Sequence, residues 1–311
     1  MAHETGSATS IVDLQDKLRL FCIAQGIQVN DWRDYGNAPG KVLSVQFNGG
    51  FFSITTIQHA SDTVEGFALS QSSSWSAATD VGSQPDETPY AGVRTDCDIT
   101  LAIPTYHFAY FVGGVVMVSF LSAVGSWRHM AFGHIEKYGV WTGGAAVFGH
   151  WIADNGGNGA GNPNDGDHNY FGETHVQSQN SYGGAIRCDA TGPNQFRRLN
   201  SGGLVATRVK SNVVAGRQHM SPNLMTSPSM STQASSLTPF LFAVPVLDAD
   251  SIKCAPIGTL RDVRMVNMKN VDNEQIFDND WMVICQGVKR DPAYVDQLEN
   301  TGMIGLAIRI Q

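Results

Sequence analysis

Three histidines lie close together in the segments WRHMAFGHIE and FGHW. His129, His134 and His150 are followed by Asp154, Asp165, Asp167 and His168. A neutral imidazole offers a lone pair near pH 7, so such a group suits general-base work or metal ligation. The spacing argues against a shared site. His129 and His134 are five residues apart, and on a strand they face opposite sides. Each therefore reads as an isolated core or surface histidine. The loop DNGGNGAGNPNDGDHN is oxygen-rich enough to suggest Ca²⁺. Aligning Asp154 as the first ligand, however, leaves Gly156 at the third position and Asp165 where a bidentate Glu belongs. The composition is that of a loop built from turn formers.

No G-x-S-x-G, Walker A, H-E-x-x-H or dinucleotide fingerprint occurs in the chain. Trp127, Trp141 and Trp151 sit among glycines and could stack on a sugar, but packing is the commoner fate of tryptophan. The sequence therefore assigns no catalytic, cofactor-binding or metal-ligating residue, and the chain is not expected to be an enzyme.

The elements that must carry these residues are mostly strands. The exception opens the chain: Ile11, Leu14, Leu18, Phe21 and Cys22 recur at helical spacing, Ser10 and Asp13 form an S-x-x-D start, and Gly26 is a stop. This predicts one amphipathic helix over about 10–25. Short β-branched and aromatic runs follow: VNDW, KVLSVQF, FFSITTIQ and GFALSQ, then PFLFAVPV, TLRDVRMVN, DWMVICQGVKR and GMIGLAIRI. Asn48-Gly49-Gly50 between two of them signals a hairpin. Two polar stretches, an irregular loop over about 152–180 and a Ser/Thr/Pro/Met-rich arm over about 215–236, show no apolar periodicity.

The run PTYHFAYFVGGVVMVSFLSAVG, Pro104 to Gly125, lies in a charge-free stretch from Ile99 to Trp127. That exceeds the roughly 18 to 20 apolar residues of a membrane span. Its aromatic and β-branched residues, its Gly-Gly pair and the lack of a basic flank favour a buried hairpin instead. A two-residue turn at Gly113-Gly114 would set Phe111 opposite Val116 and Phe108 opposite Ser119. Both faces would be apolar, so both must be covered.

The 311 residues carry a net charge of −8 and scattered basic residues, which excludes a nucleic-acid groove. Charged residues make up only 15%, a profile that suits a β-protein partly covered by neighbouring subunits. The five cysteines form no C-x-x-C and read as buried hydrophobes. The opening MAHETGSATS has no apolar stretch, so no secretory leader is expected. The fold class expected is mainly β with an N-terminal α-helix, its antiparallel sheets packed as a sandwich or barrel-like core with long irregular loops. All 311 residues are expected to form a single domain.

Three segments together resemble a group of tailed-bacteriophage virion structural proteins encoded among tail and baseplate genes. They are GSATSIVDLQDKLRLFCIAQGIQVNDW, YHFAYFVGGVVMVSFLSAVGSWRHMAFGHI, and TLRDVRMVNMKNVDNEQIFDNDWMVICQGVKR with GMIGLAIRI after it, in that order. The resemblance implies a particle component of the tail, baseplate or collar, present in several symmetric copies and made in the host cytoplasm before assembly into the virion. Its partners would be copies of itself and other virion proteins, with no nucleic acid, no membrane span and no cofactor. The alternatives are a capsid decoration protein or a tail protein that binds a host-surface receptor or glycan. The resemblance brings no catalytic residue with it.

Overall fold

The computed structural model of the chain describes residues 1–35, 40–58, 65–88, 90–94, 100–123, 125–150, 171, 184–188, 196–200, 241–248, 256–268, 271–286 and 304–311. An edge strand β1 (Ala2–Ala8) leads into helix α1 (Ile11–Ala24). Strands β2 (Gln28–Asp34), β3 (Lys41–Phe47), β4 (Gly50–Gln58), β5 (Glu65–Ser72) and β6 (Ala91–Arg94) follow. Next come β7 (Ile103–Tyr110), β8 (Val115–Leu121), β9 (Trp127–His134), the short β10 (Glu136–Lys137), β11 (Gly143–Gly149), β12 (Gly184–Cys188) and β13 (Phe196–Asn200). The chain ends with β14 (Phe242–Asp248), β15 (Pro256–Asn267), β16 (Gln275–Phe277), β17 (Trp281–Cys285) and β18 (Ile304–Arg309).

The described strands make two antiparallel sheets. The smaller runs β2-β3-β4-β5-β6. The larger runs β1-β7-β8-β9-β11-β12-β13-β14-β15-β18-β17-β16, with β10 attached to β15. The larger sheet folds over on itself. Its first half is a central layer, covered on one face by the small sheet with α1 and on the other by its own second half, β14 to β18.

Two cores follow from that arrangement, and the alternation along each central strand sorts residues between them. Tyr106, Phe108, Val116, Val118, Phe120, Met130 and Phe132 join Leu14, Leu18, Phe21, Leu43, Phe52 and Phe67. Ala109, Phe111, Val115, Met117, Ala131 and Phe148 join Val244, Leu260, Val263, Ile284 and Leu306 on the opposite side. This is why β7 and β8 dispense with charge: the two cores take up most of both faces of these strands. Phe111 is 2% exposed and Val118 is fully buried. Among the described residues, no helix is long and apolar enough to cross a membrane.

The turn of this hairpin differs from the sequence expectation by one residue. Phe111 N donates to Val115 O, and Gly114 N donates to Phe111 O. The loop is therefore Val112-Gly113-Gly114, with Gly113 at a φ of 78°. Tyr110 pairs with Val116 and His107 with Ser119. A one-residue slip exchanges the faces of a whole strand. The expected pairing of Phe111 with Val116 and of Phe108 with Ser119 is thus displaced, and Val116, Val118 and Phe120 share the face of Tyr106 and Phe108. Val112, expected on an apolar face, is 70% exposed at the tip. The physical reason is that Gly113 alone supplies the positive φ, which leaves Gly114 free to close a three-residue loop.

Other local signals act as expected. The Ser10 hydroxyl caps α1 by accepting from Asp13 N at 3.1 Å, and the Asp13 carboxylate accepts from Thr9 N at 2.7 Å. Gly26 ends the helix at a φ of 73°. Asn48 and Gly49, at φ of 50° and 79°, make the two-residue turn between β3 and β4. Gln15 is fully buried, and its Nε2 donates to Ile54 O at 2.7 Å, tying the helix to the small sheet. The irregular loop over 152–180, Phe171 apart, and the polar arm over 215–236 lie outside the described residues.

Candidate functional site

The chemistry-bearing side chains gather in one row on the face of the central layer that meets the outer layer. His107 on β7 pairs with Ser119 on β8, and Ser119 pairs with His129 on β9. The row continues to His150, which directly follows β11, and the rings of His129 and His150 stack with centroids 5.6 Å apart. His3 on β1 stacks on His107 at 5.6 Å, and Trp127 stacks on the other side of His107 at 5.8 Å.

Two hydrogen bonds carry this row across to the outer layer. His129 Nε2 lies 2.8 Å from Cys285 O, and Ser119 Oγ lies 2.8 Å from His129 Nδ1. A carbonyl only accepts, so the proton of the neutral ring sits on Nε2. Nδ1 is then the acceptor, and the Ser119 hydroxyl donates to it. At the other end of the row, His107 Nε2 lies 3.0 Å from a Glu274 carboxylate oxygen, to which it donates. His107 Nδ1 is buried without a hydrogen-bond partner among the described residues. Both acceptors belong to one hairpin, since Glu274 immediately precedes β16 and Cys285 ends β17. Glu274 N donates to Val283 O, and Cys285 N donates to Asn273 Oδ1, so the open end of the hairpin is pinned.

Burial sets the protonation of these rings. It pushes the His129 pKa down to about 4, against a smaller upward pull from the Cys285 carbonyl, with the charges of Arg128 and His107 adding to the fall. Burial lowers His107 as well, with the Glu274 hydrogen bond and charge opposing it. His3 is lowered by burial and then by His107. In each of these three rings burial favours the neutral form.

Hydroxyl, imidazole and oxygen acceptor stand here in the order that activates a serine nucleophile. Their accessibility decides against that use. Ser119 and His129 are both 0% exposed, so no substrate reaches the hydroxyl without the layers parting. The arrangement works as a polar rivet between two apolar surfaces.

The histidines singled out in the sequence separate as their spacing implied. His129 faces the outer layer, whereas His134 lies toward the small sheet, 6.4 Å from the Phe52 ring. His134 also falls below the ordinary histidine pKa, through burial and then the nearby Lys137 charge. His129 is a hydrogen-bonded core histidine. Asp154, Asp165, Asp167, His168 and Trp151 lie outside the described residues, and among those described no cluster of three metal-ligating side chains occurs. Trp141 has Lys137 Nζ 5.1 Å above its ring. Cys22 is a buried free thiol, and Cys285 is likewise buried.

Sequence reading missed Ser119, His107 and Glu274. The signal available was the cross-strand row itself, which the one-residue slip of β8 concealed by setting Ser119 against Phe108. The Cys285 contact had no residue-type signal, since the acceptor is main chain.

The fold is an antiparallel β-sandwich in three layers, with the polar row enclosed between two of them. No protein-family model matches the chain, and no curated protein matches it at a significant level.

Proposed function

We propose that this protein is a structural component of a tailed-bacteriophage virion, in the tail, baseplate or collar, and that it acts by oligomeric assembly and not by catalysis. The observation that carries the reading on the structural side is the contrast between inside and outside. The one described arrangement able to activate a nucleophile, Ser119 with His129, is sealed. Large apolar side chains stand instead at the surface: Val112 on the β7–β8 turn, Tyr138 and Val140 on the segment before β11, and Leu20 and Ile23 on α1. Ala2 pairs with Tyr110, which sets the exposed Met1 beside the turn that bears Val112. Apolar tips of this kind suit burial against copies of the same chain or other virion proteins. The resemblance of three ordered sequence segments to tail- and baseplate-associated proteins supplies the particle.

Immunogold labelling of intact particles tests the proposal. Label on the tail, baseplate or collar is the expected result. Label over the head surface would favour a decoration protein, label confined to the fibre tips would favour a receptor or glycan binder, and unlabelled particles would contradict a virion role.

A further inference from the structure

The row of imidazoles between the central and outer layers has a property that packing alone does not need. Phe171 N donates to Gln286 Oε1 and β10 pairs with β15 at this seam, whereas the two links made by the row itself both pass through a histidine: His107 to Glu274 and His129 to the Cys285 carbonyl. Both links land on the β16–β17 hairpin, which forms one end of the larger sheet, with β16 holding only β17 as a neighbour. We propose that the seam is an acid-sensitive latch: proton uptake by the histidine row releases the β16–β17 hairpin from the central layer while α1 and the small sheet stay packed.

The physical argument rests on where a proton can go. His129 Nε2 already donates to Cys285 O, so a second proton must enter on Nδ1, where the Ser119 hydroxyl now donates. That charge sits in a fully enclosed site and gains water only if the layers part. The groups that face the row come from four places, one of them His150 after β11, which stacks on His129 at 5.6 Å and would set a like charge beside it if both rings took up protons. Glu274 from the outer layer favours a charged His107. His3 on β1 stacks on His107, so charging both rings sets like charges 5.6 Å apart. Arg128, on β9 with its side chain toward the other core, disfavours charge on His129. Parting relieves these unfavourable contributions at once. The hairpin is the part able to yield, because it is a sheet end, whereas α1 is held by the second core and by Gln15.

Two substitutions separate this latch from a merely structural contact, because they move it in opposite directions. His107→Gln keeps a donor toward Glu274 but removes a titrating group, so opening should require a lower pH. Glu274→Gln keeps an acceptor but removes the charge that favours protonated His107, so opening should begin at a higher pH. The readout is hydrogen–deuterium exchange of the full chain, followed by mass spectrometry from pH 8 to pH 4. Intrinsic exchange is corrected for pH. The expected result is a loss of protection in Gln275–Cys285, with a midpoint between the ordinary histidine pKa and about 4, while Ile11–Ala24 and Lys41–Phe47 remain protected. The midpoint should shift by about half a pH unit or more, downward in His107→Gln and upward in Glu274→Gln. Simultaneous loss of protection in all these elements, an unmoved midpoint, or a shift of both variants in the same direction would overturn the proposal. His129→Gln, which retains a donor toward Cys285 O, serves as a second downward-shifting variant if His107→Gln does not fold.

Discussion

The Nε2 of His129 lies 2.8 Å from the carbonyl oxygen of Cys285, joining residues 156 positions apart in the chain. One strand of the central layer is thereby fastened to the far end of the outer layer, inside a surrounding of apolar side chains. A buried polar pair of this kind fixes register as well as adding stability, because a shifted layer would leave both groups without partners.

Removing the imidazole should be costly. His129→Ala would take away the acceptor of the Ser119 hydroxyl and a donor to the Cys285 carbonyl and open a cavity beside them, a loss of about 3–5 kcal/mol. Ser119→Ala should cost about 1 kcal/mol, since the ring keeps its carbonyl bond. Urea unfolding of the two single variants and the double variant checks this, and the double variant should fall short of the sum.

Stability should also decline toward acid with a recognisable histidine contribution. The folded pKa of His129 is depressed from 6.5 to about 4, so the unfolded chain binds the proton more readily. The contribution is fully present above pH 6.5 and is lost as pH falls from there to about 4, a total of about 3 kcal/mol. His129→Gln should flatten the slope of unfolding free energy against pH across that window. An unchanged slope would show that folding does not depress the His129 pKa.

Burial on both faces makes Phe108 in β7 and Phe111 just after it equally sensitive. Phe108→Ala opens the core shared with α1, and Phe111→Ala opens the core shared with the outer layer. Each should cost about 3–5 kcal/mol in denaturant unfolding. A neutral result at either position would mean that one face is not covered.

Gly133 should tolerate no side chain. It holds a φ of 141°, and an added Cβ would lie 2.5 Å from Gly114 O and 2.7 Å from Val115 Cα. Both are backbone atoms of the neighbouring strand and turn, so they cannot swing aside. Gly133→Ala should cost more than about 2 kcal/mol, and thermal unfolding should register it as a drop in Tm.

The apolar tips should matter to association and not to folding. Val112→Asp and Val140→Asp alter exposed positions, so each should change monomer stability by less than about 0.5 kcal/mol. Sedimentation velocity of the double variant should show weakened self-association at unchanged Tm.

How far the fold was legible depended on how much of each element's stability is local. Helix α1 was readable because its cap, its stop and its apolar stripe all lie within seventeen residues, Ser10 to Gly26. The strands β3, β4, β5, β15, β17 and β18 announced themselves by composition. The strand β1 did not, since AHETGSA has no apolar alternation and is held by main-chain pairing to β7. The turn of the central hairpin was misplaced by one residue because two glycines compete for the positive φ, and nothing in their own sequence ranks them. The seam was the least legible feature. His107 and Glu274 meet only once the large sheet folds over on itself, and the partner of His129 is a carbonyl that every residue carries.

The proposed virion role requires that the chain assemble with copies of itself. Multi-angle light scattering of the full-length protein over a wide concentration range tests it most directly. A stable oligomer of defined mass that persists on dilution is the predicted result. A monodisperse monomer at the highest concentration would overturn the proposed role.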